Sequence, residues 1–247
     1  MDLAEIASSP HARRHPWEQA RARAVLSILV EHGLSPRHVL DYGCGDGFTG
    51  NRVAKHFDAR LTAYDPNFTA ELIQQFAEPS IEFTNQRPED LSRFDLLLLL
   101  DVIEHVPDDR DFLSQLIGAG SDLKRNVLIT VPAFSQLFTE HDRFLKHYRR
   151  YALGDLRAVC SDVGLRRLAD GYLFSSLLAP RAASKCAELL RGGGPQQRGI
   201  GSWQRGPGVT RAIETALNWD NRLLLSLARK GLKLPGLSAW VLAEVSA

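Results

Sequence analysis

Apolar positions along this chain alternate between two rhythms. Over 17–31, Ala20, Ala24, Val25, Ile28 and Leu29 recur at helical spacing, and His32-Gly33 ends that helix before Ser35-Pro36. Val39-Leu40-Asp41-Tyr42 is a β-favouring run that stops at glycines, and a second helix is predicted over 49–56. A strand over 61–64, a helix over 69–76 and a short strand over 81–83 follow. The unbroken run from Phe94 to Leu100 reads as a central parallel strand buried on both faces, although leucine alone would also allow a helix. A helix over 111–117 and a strand over 126–131, stopped by Pro132, complete the pattern. Such alternation predicts a parallel sheet with helices on both faces.

Beyond Pro132 the rhythm is lost. Residues 134–151 mix aromatics, histidines and arginines without periodicity, as in a loop or short helix over a site. A helix over 153–163 capped by Gly164, a strand over 165–173 and an apolar helix over 177–190, bent near Pro180, come next. Residues 191–208 are glycine-rich and basic and read as a mobile loop. An amphipathic helix over 209–230 (Ile213, Ala216, Leu217, Leu224, Leu227) closes at Gly231, and 237–245 forms the last strand. The expected organisation is one domain over 1–247. An N-terminal helical segment (1–35) precedes a core (36–172), then a helical and loop insert (173–235) and the final strand (236–247).

Composition narrows the function classes. The 247 residues carry 44% hydrophobic and 24% charged side chains, ordinary for a globular protein. A net charge of +1 gives no bulk case for nucleic acid. Cys44, Cys160 and Cys186 are far apart and odd in number, so neither a metal site nor a disulfide framework is expected, and a cytoplasmic setting is. No apolar run reaches the roughly 18–20 residues needed to span a bilayer. The N-terminus lacks the apolar core of a signal peptide.

The chemistry begins at Gly43-Cys44-Gly45-Asp46-Gly47, where the first strand turns into a helix. Glycines there let backbone approach a ligand closely, at the end of the sheet where nucleotide-type cofactors bind. Gly45 to Gly50 also satisfies G-x-G-x-x-G, the dinucleotide fingerprint. Asp41 and Asp46 flank the turn with negative charge, which opposes a diphosphate and favours a cationic ligand.

Val39 to Gly47 resembles the first motif of class I S-adenosylmethionine-dependent methyltransferases, whose donor carries a sulfonium and an ammonium but no phosphate. Tyr64-Asp65 resembles that family's acidic strand end, which holds the ribose hydroxyls. Phe94-Asp95 with Leu100-Asp101-Val102-Ile103-Glu104-His105-Val106 resembles its fourth strand and the loop lining the transfer site. The resemblance implies a Rossmann-like α/β fold: seven strands, mostly parallel, the last antiparallel, with a helical insert before it. It implies cofactor contacts at Arg21, Asp41, Gly43, Cys44, Gly45, Asp65, Pro66, Arg87, Asp101 and Val102. Residue-level alternatives stay open. Asp41 can face a ligand ammonium or a helix N-terminus, Asp65 can hold ribose or cap a helix, and Arg21 can pair with the methionine carboxylate or face solvent. The family acid near adenine has no counterpart in Gln86-Arg87-Pro88-Glu89-Asp90-Leu91.

Methyl transfer needs an aligned nucleophile and, for a hydroxyl acceptor, a place for its proton. Candidates are His105, His141 beside Asp142, and Tyr148 in His147-Tyr148-Arg149-Arg150-Tyr151, a run similar to one in quinone-biosynthesis methyltransferases. Arg149 and Arg150 would either bind an anionic acceptor or brace their loop. The expected function is O-methylation of a small molecule, lipophilic or lipid-linked, by a monomer or homodimer touching a membrane surface through 173–235. The competing readings are a non-catalytic S-adenosylmethionine-binding scaffold and a nicotinamide-dependent oxidoreductase.

Overall fold

The computed structural model describes residues 14–118, 125–191, 203 and 205–245. Seven strands form one sheet: β1 (His38–Tyr42), β2 (Arg60–Tyr64), β3 (Ile81–Thr84), β4 (Leu96–Leu100), β5 (Asn126–Pro132), β6 (Leu165–Leu173) and β7 (Ser238–Val245). Their order is β3-β2-β1-β4-β5-β7-β6. Only β7 runs against its neighbours, lying antiparallel between β5 and β6. The fold class therefore matches the expectation, with the reversed strand inserted one place in from the edge.

The leucine run is a strand, and its side chains show why no helix forms there. Leu97 and Leu99 enter one core while Leu96, Leu98 and Leu100 enter the other, so alternation by two serves two apolar layers. The first layer holds α4 (Asp109–Ile117) and α6 (Leu153–Asp162) through Leu113, Leu116, Leu156 and Val159. The second holds α1 (Pro16–Glu31), α2 (Phe48–Phe57) and α8 (Pro207–Arg229) through Ile28, Val53 and Leu225. The short α3 (Ala70–Phe76) covers the β3 edge; α5 (Glu140–Phe144) and α7 (Leu178–Arg191) belong to the region above the sheet. Because β1 is flanked by β2 and β4, successive connections leave it in opposite directions, which opens a crevice at the carboxyl ends of β1 and β4.

Two expectations change. Pro180 is the third residue of α7, in a first turn where a missing N–H breaks no intrahelical bond, so the proline belongs to the start of the helix rather than to a bend within it. The loop expected over 191–208 lies mostly outside the described residues, and α8 already begins at Pro207.

The first turn of α2 explains the buried acid in β1. The Gly50 N–H donates to Asp41 Oδ2 at 3.2 Å, so a helix N-terminus meets this carboxylate. A Cβ at Gly50 would stand 2.5 Å from that oxygen and 2.9 Å from Asp41 Cβ. Gly50→Ala is expected to lower unfolding stability by about 1–3 kcal/mol, as overpacking does. Urea denaturation reads this directly, and an unchanged midpoint would mean that Asp41 moves aside freely.

Candidate active site

A cavity of about 1100 Å³ opens at the β1/β4 crevice and runs to α5 and α7. Ordinary ligand pockets span about 300–1,000 Å³. The volume thus suits two molecules better than one.

At the sheet end, Gly43, Gly45 and Gly47 take φ of +70°, +57° and +71°, the left-handed region that glycine enters without penalty. A Cβ on Gly43 would reach 2.9 Å from Val102 Cγ2, so the turn and the β4 loop close on each other. Asp65 follows β2 with both carboxylate oxygens engaged. Oδ2 accepts from the Gly45 N–H at 3.1 Å, and Oδ1 accepts from the Asn67 N–H at 2.9 Å and its Nδ2 at 3.1 Å. The helix-capping alternative goes instead to Thr69, whose hydroxyl accepts from the Leu72 N–H.

Arg21 is buried. Its guanidinium lies 2.9 Å from Asp101 Oδ2 and donates to Thr130 Oγ1 at 3.4 Å, with Trp17 stacked 5.2 Å away. Asp101 adopts φ +58°, a strained value for a residue with a side chain, and its Oδ1 accepts from the Thr130 hydroxyl at 2.9 Å. Tyr42 packs on Tyr64 and Phe112 with ring centroids 4.6 and 5.5 Å apart, giving this end an aromatic wall.

Arg21, Gly43, Asp65, Pro66, Asp101 and Val102 all line the cavity. Four expected contacts do not. Asp41 lies behind the turn, where burial pushes its carboxyl up to about 6 against the opposing pull of Arg21 and Gly50. Cys44 is buried with Sγ 3.5 Å from the Gly45 carbonyl, and burial likewise raises its thiol. Gly45 serves through its N–H to Asp65. Arg87 is exposed and reaches the Gln115 carbonyl. Asp46, the other flanking acid, pairs with Arg14 and accepts from the Phe48 N–H.

At the far end the geometry is built on Asp142, which is 0% exposed. Its Oδ1 accepts from His147 Nδ1 at 3.1 Å and Arg150 Nε at 2.7 Å. Its Oδ2 accepts from the Thr139 N–H at 2.8 Å and Arg181 Nη2 at 2.6 Å. Burial works to raise this carboxyl, but the hydrogen bond from His147 and the charge of Arg150 hold it well below the ordinary range. An ionised Asp142 can only accept, so His147 carries its proton on Nδ1 and, when neutral, keeps Nε2 as a base.

His147 stacks edge-on against His105 at 4.5 Å between centroids. Beside them Glu104 is 0% exposed, and neither carboxylate oxygen has a hydrogen-bond partner among the described residues. Burial, reinforced by nearby Asp101, raises its carboxyl well above the ordinary range, so Glu104 is held protonated unless a cation meets it. One ligand atom each from Glu104, His105 and His147 lie within 4.8 Å of one another, close enough to share an ion.

Three groups were candidates for the chemistry. His105 and His141 line the cavity; burial, then Arg181, lowers the His141 pKa. Tyr148 is 58% exposed and lies outside the lining; its N–H donates to the Glu104 carbonyl and the Arg149 guanidinium lies 5.9 Å from its ring. The carboxylate beside His141 in sequence orients His147, because a side chain five residues on, after the short α5, returns to Asp142. Arg149 pairs with Asp109 at 3.0 Å and donates to the Val106 carbonyl, and Arg150 also donates to the Ala133 carbonyl, so both brace the loop. Glu104 and His147 are the groups sequence reasoning passed over. Both stood in motifs it had singled out, but burial without a partner and pairing with Asp142 leave no mark in spacing.

A family model described as "Methyltransferase domain" matches residues 11–172, more than half of the chain. A ubiquinone biosynthesis O-methyltransferase of Coxiella burnetii is 29% identical over 133 residues, covering 49% of this chain and 56% of the relative. The chain therefore spans little more than half the length of the curated relatives it matches. Among solved structures, a sarcosine dimethylglycine methyltransferase from Galdieria sulphuraria superposes with a TM-score of 0.56 at 17% identity, covering 92% of this chain and 85% of that one. The plantazolicin methyltransferase BpumL, solved with S-adenosylhomocysteine, gives a TM-score of 0.55 at 13% identity, covering 94% and 85%. These structural likenesses concern the fold.

Proposed function

The chain belongs to the methyltransferase domain family, class I enzymes whose methyl donor is S-adenosylmethionine, and from that premise we propose that it methylates a hydroxyl oxygen of a small, largely apolar acceptor. At the sheet end Asp65 would hold the donor's ribose, Arg21, once turned from Asp101, its methionine carboxylate, and the aromatic wall its adenine. The acceptor takes the far end, where Leu145, Leu177 and Leu237 contribute apolar lining. Bound S-adenosylmethionine would supply the methyl on its sulfonium, transfer to the acceptor oxygen leaving a neutral thioether, and Nε2 of His147 would take the hydroxyl proton. Asp142 stabilises the resulting imidazolium. The Asp142–His147 pair beside the cavity is the observation that carries this reading. The name of the Coxiella relative supports oxygen as the methylated atom.

The test is to incubate the protein with S-adenosylmethionine and a panel of catechol and hydroquinone acceptors and to measure S-adenosylhomocysteine. Product matched mole for mole by an O-methylated acceptor is expected. Calorimetric binding of S-adenosylhomocysteine with no turnover on any acceptor would favour the scaffold reading instead.

The unpartnered oxygens of Glu104 support a second reading of the same cluster, as the seat of a divalent ion that polarises the acceptor hydroxyl. Turnover that survives chelation assigns the proton directly to His147. Turnover lost to a chelator and regained with magnesium or zinc assigns the cluster to an ion.

A lipophilic acceptor fits a peripheral membrane contact through 173–235. Leu189 and Leu190 on α7 and Val209, Trp219 and Leu223 on α8 are exposed, the last two flanking Arg222. No described helix is long and apolar enough to cross a membrane. Co-sedimentation with anionic phospholipid vesicles is expected and should weaken in Trp219→Ser/Leu223→Ser; recovery of the unaltered protein in the supernatant at every lipid concentration removes the contact.

A further inference from the structure

Helix α7 walls the acceptor end of the cavity. Arg181, Ser184 and Glu188 recur at three- and four-residue spacing, one helical face, and line it together with Leu177 of the preceding 3-10 turn. The helix packs chiefly on the 3-10 turns at Ser135–Leu137 and Ser175–Leu177 rather than on the sheet. Two polar ties reach from it to the turn that opens α5. Arg181 Nη2 donates to Asp142 Oδ2 at 2.6 Å and Thr139 Oγ1 at 2.7 Å, and the Glu140 N–H donates to Glu188 Oε1 at 3.1 Å.

The first tie ends on the same carboxylate that holds His147. Asp142 divides its oxygens, Oδ2 to Thr139 and Arg181, Oδ1 to His147 and Arg150. A carboxylate with no contact to water needs donors on both oxygens, so each set of partners fixes the plane that the other set meets. Removing the donor from α7 leaves Oδ2 with the Thr139 groups alone and frees the carboxylate to rotate toward Arg150. The imidazole would follow it.

We propose that Arg181 is a positioning residue which, acting through Asp142, couples the seating of α7 to the orientation of His147. The acceptor cavity is walled and its base is aimed in one event, and neither is complete without the other. This rests on the reading of His147 as the proton acceptor. A merely bracing Arg181 would hold the wall and affect acceptor binding, whereas a positioning one governs the chemical step.

Arg181→Met and Arg181→Lys in the full chain separate these roles. Arg181→Met should leave S-adenosylhomocysteine affinity unchanged and lower kcat about 10- to 100-fold, the range expected for a misplaced reacting group, with a smaller change in acceptor KM. Arg181→Lys should recover part of kcat, because an ammonium can reach Oδ2 as a point charge without the guanidinium's fork. A rise in KM at constant kcat, or a lysine variant no better than methionine, overturns the proposal. A readout independent of turnover is the imidazole ¹H–¹⁵N spectrum. His147 should show an Nδ1-protonated ring in the unaltered protein and a shifted or exchange-broadened one in Arg181→Met. If the unaltered protein methylates no acceptor, the reading of His147 as base fails by itself. The spectra then still decide the Arg181 coupling, and unchanged His147 resonances overturn it.

Discussion

Asp65→Asn is expected to weaken S-adenosylhomocysteine binding about 10- to 100-fold, the loss of about 1.5–3 kcal/mol that accompanies a hydrogen bond to a charged group. The reason lies in how the carboxylate is already used. Three donors from Gly45 and Asn67 fix its plane at the end of β2, so its remaining lone pairs face the cavity in a set direction. Vicinal hydroxyls can then be met without reorganisation. An amide keeps the shape but turns one acceptor into a donor, which opposes either the Gly45 N–H or the ligand. The melting temperature should fall only slightly, because the strand end and the Thr69 cap of α3 remain. Calorimetry with S-adenosylhomocysteine alongside thermal unfolding tests this, and an affinity equal to that of the unaltered protein would take Asp65 out of the site.

His147→Ala should lower kcat about 10²- to 10⁴-fold, the usual span for a general base, with S-adenosylhomocysteine affinity unchanged. Asp142 is not stranded by the change, since Arg150 continues to donate to Oδ1, so the fold should persist. His141→Ala is the informative companion. His141 lines the same cavity but does not hold the Asp142 proton bridge, so its removal should alter acceptor KM more than kcat. If the two variants exchange behaviours, the base is His141 and the bridge to His147 is only structural.

The chain by itself determined the elements and the glycine turn at the sheet end of the cavity. The unbroken Leu96 to Leu100 carries no period of its own, and its length and its place among alternating strands and helices marked it as a strand. Gly43, Gly45 and Gly47 marked a turn open to close backbone approach, and the structure gives all three a left-handed backbone. Asp65 followed from its place at the next strand end. These features are local: a few consecutive residues set both the conformation and the side of the sheet on which a group emerges.

The far end of the cavity was decided by tertiary structure. Asp142 adjoins His141 in sequence, yet the return of the chain after α5 gave its carboxylate to His147, and Arg181 arrived from a helix 39 residues away. Arg87 stood in the expected region and turned to solvent, while Asp41, expected to meet the ligand or a helix N-terminus, met α2. Glu104 became a distinctive group only once the fold buried its oxygens with no hydrogen-bond partner among the described residues. Periodicity records which way a side chain leaves its own backbone. Which charge meets which, and how much water is left between them, depends on the closure of distant segments, and no pattern of near neighbours encodes it.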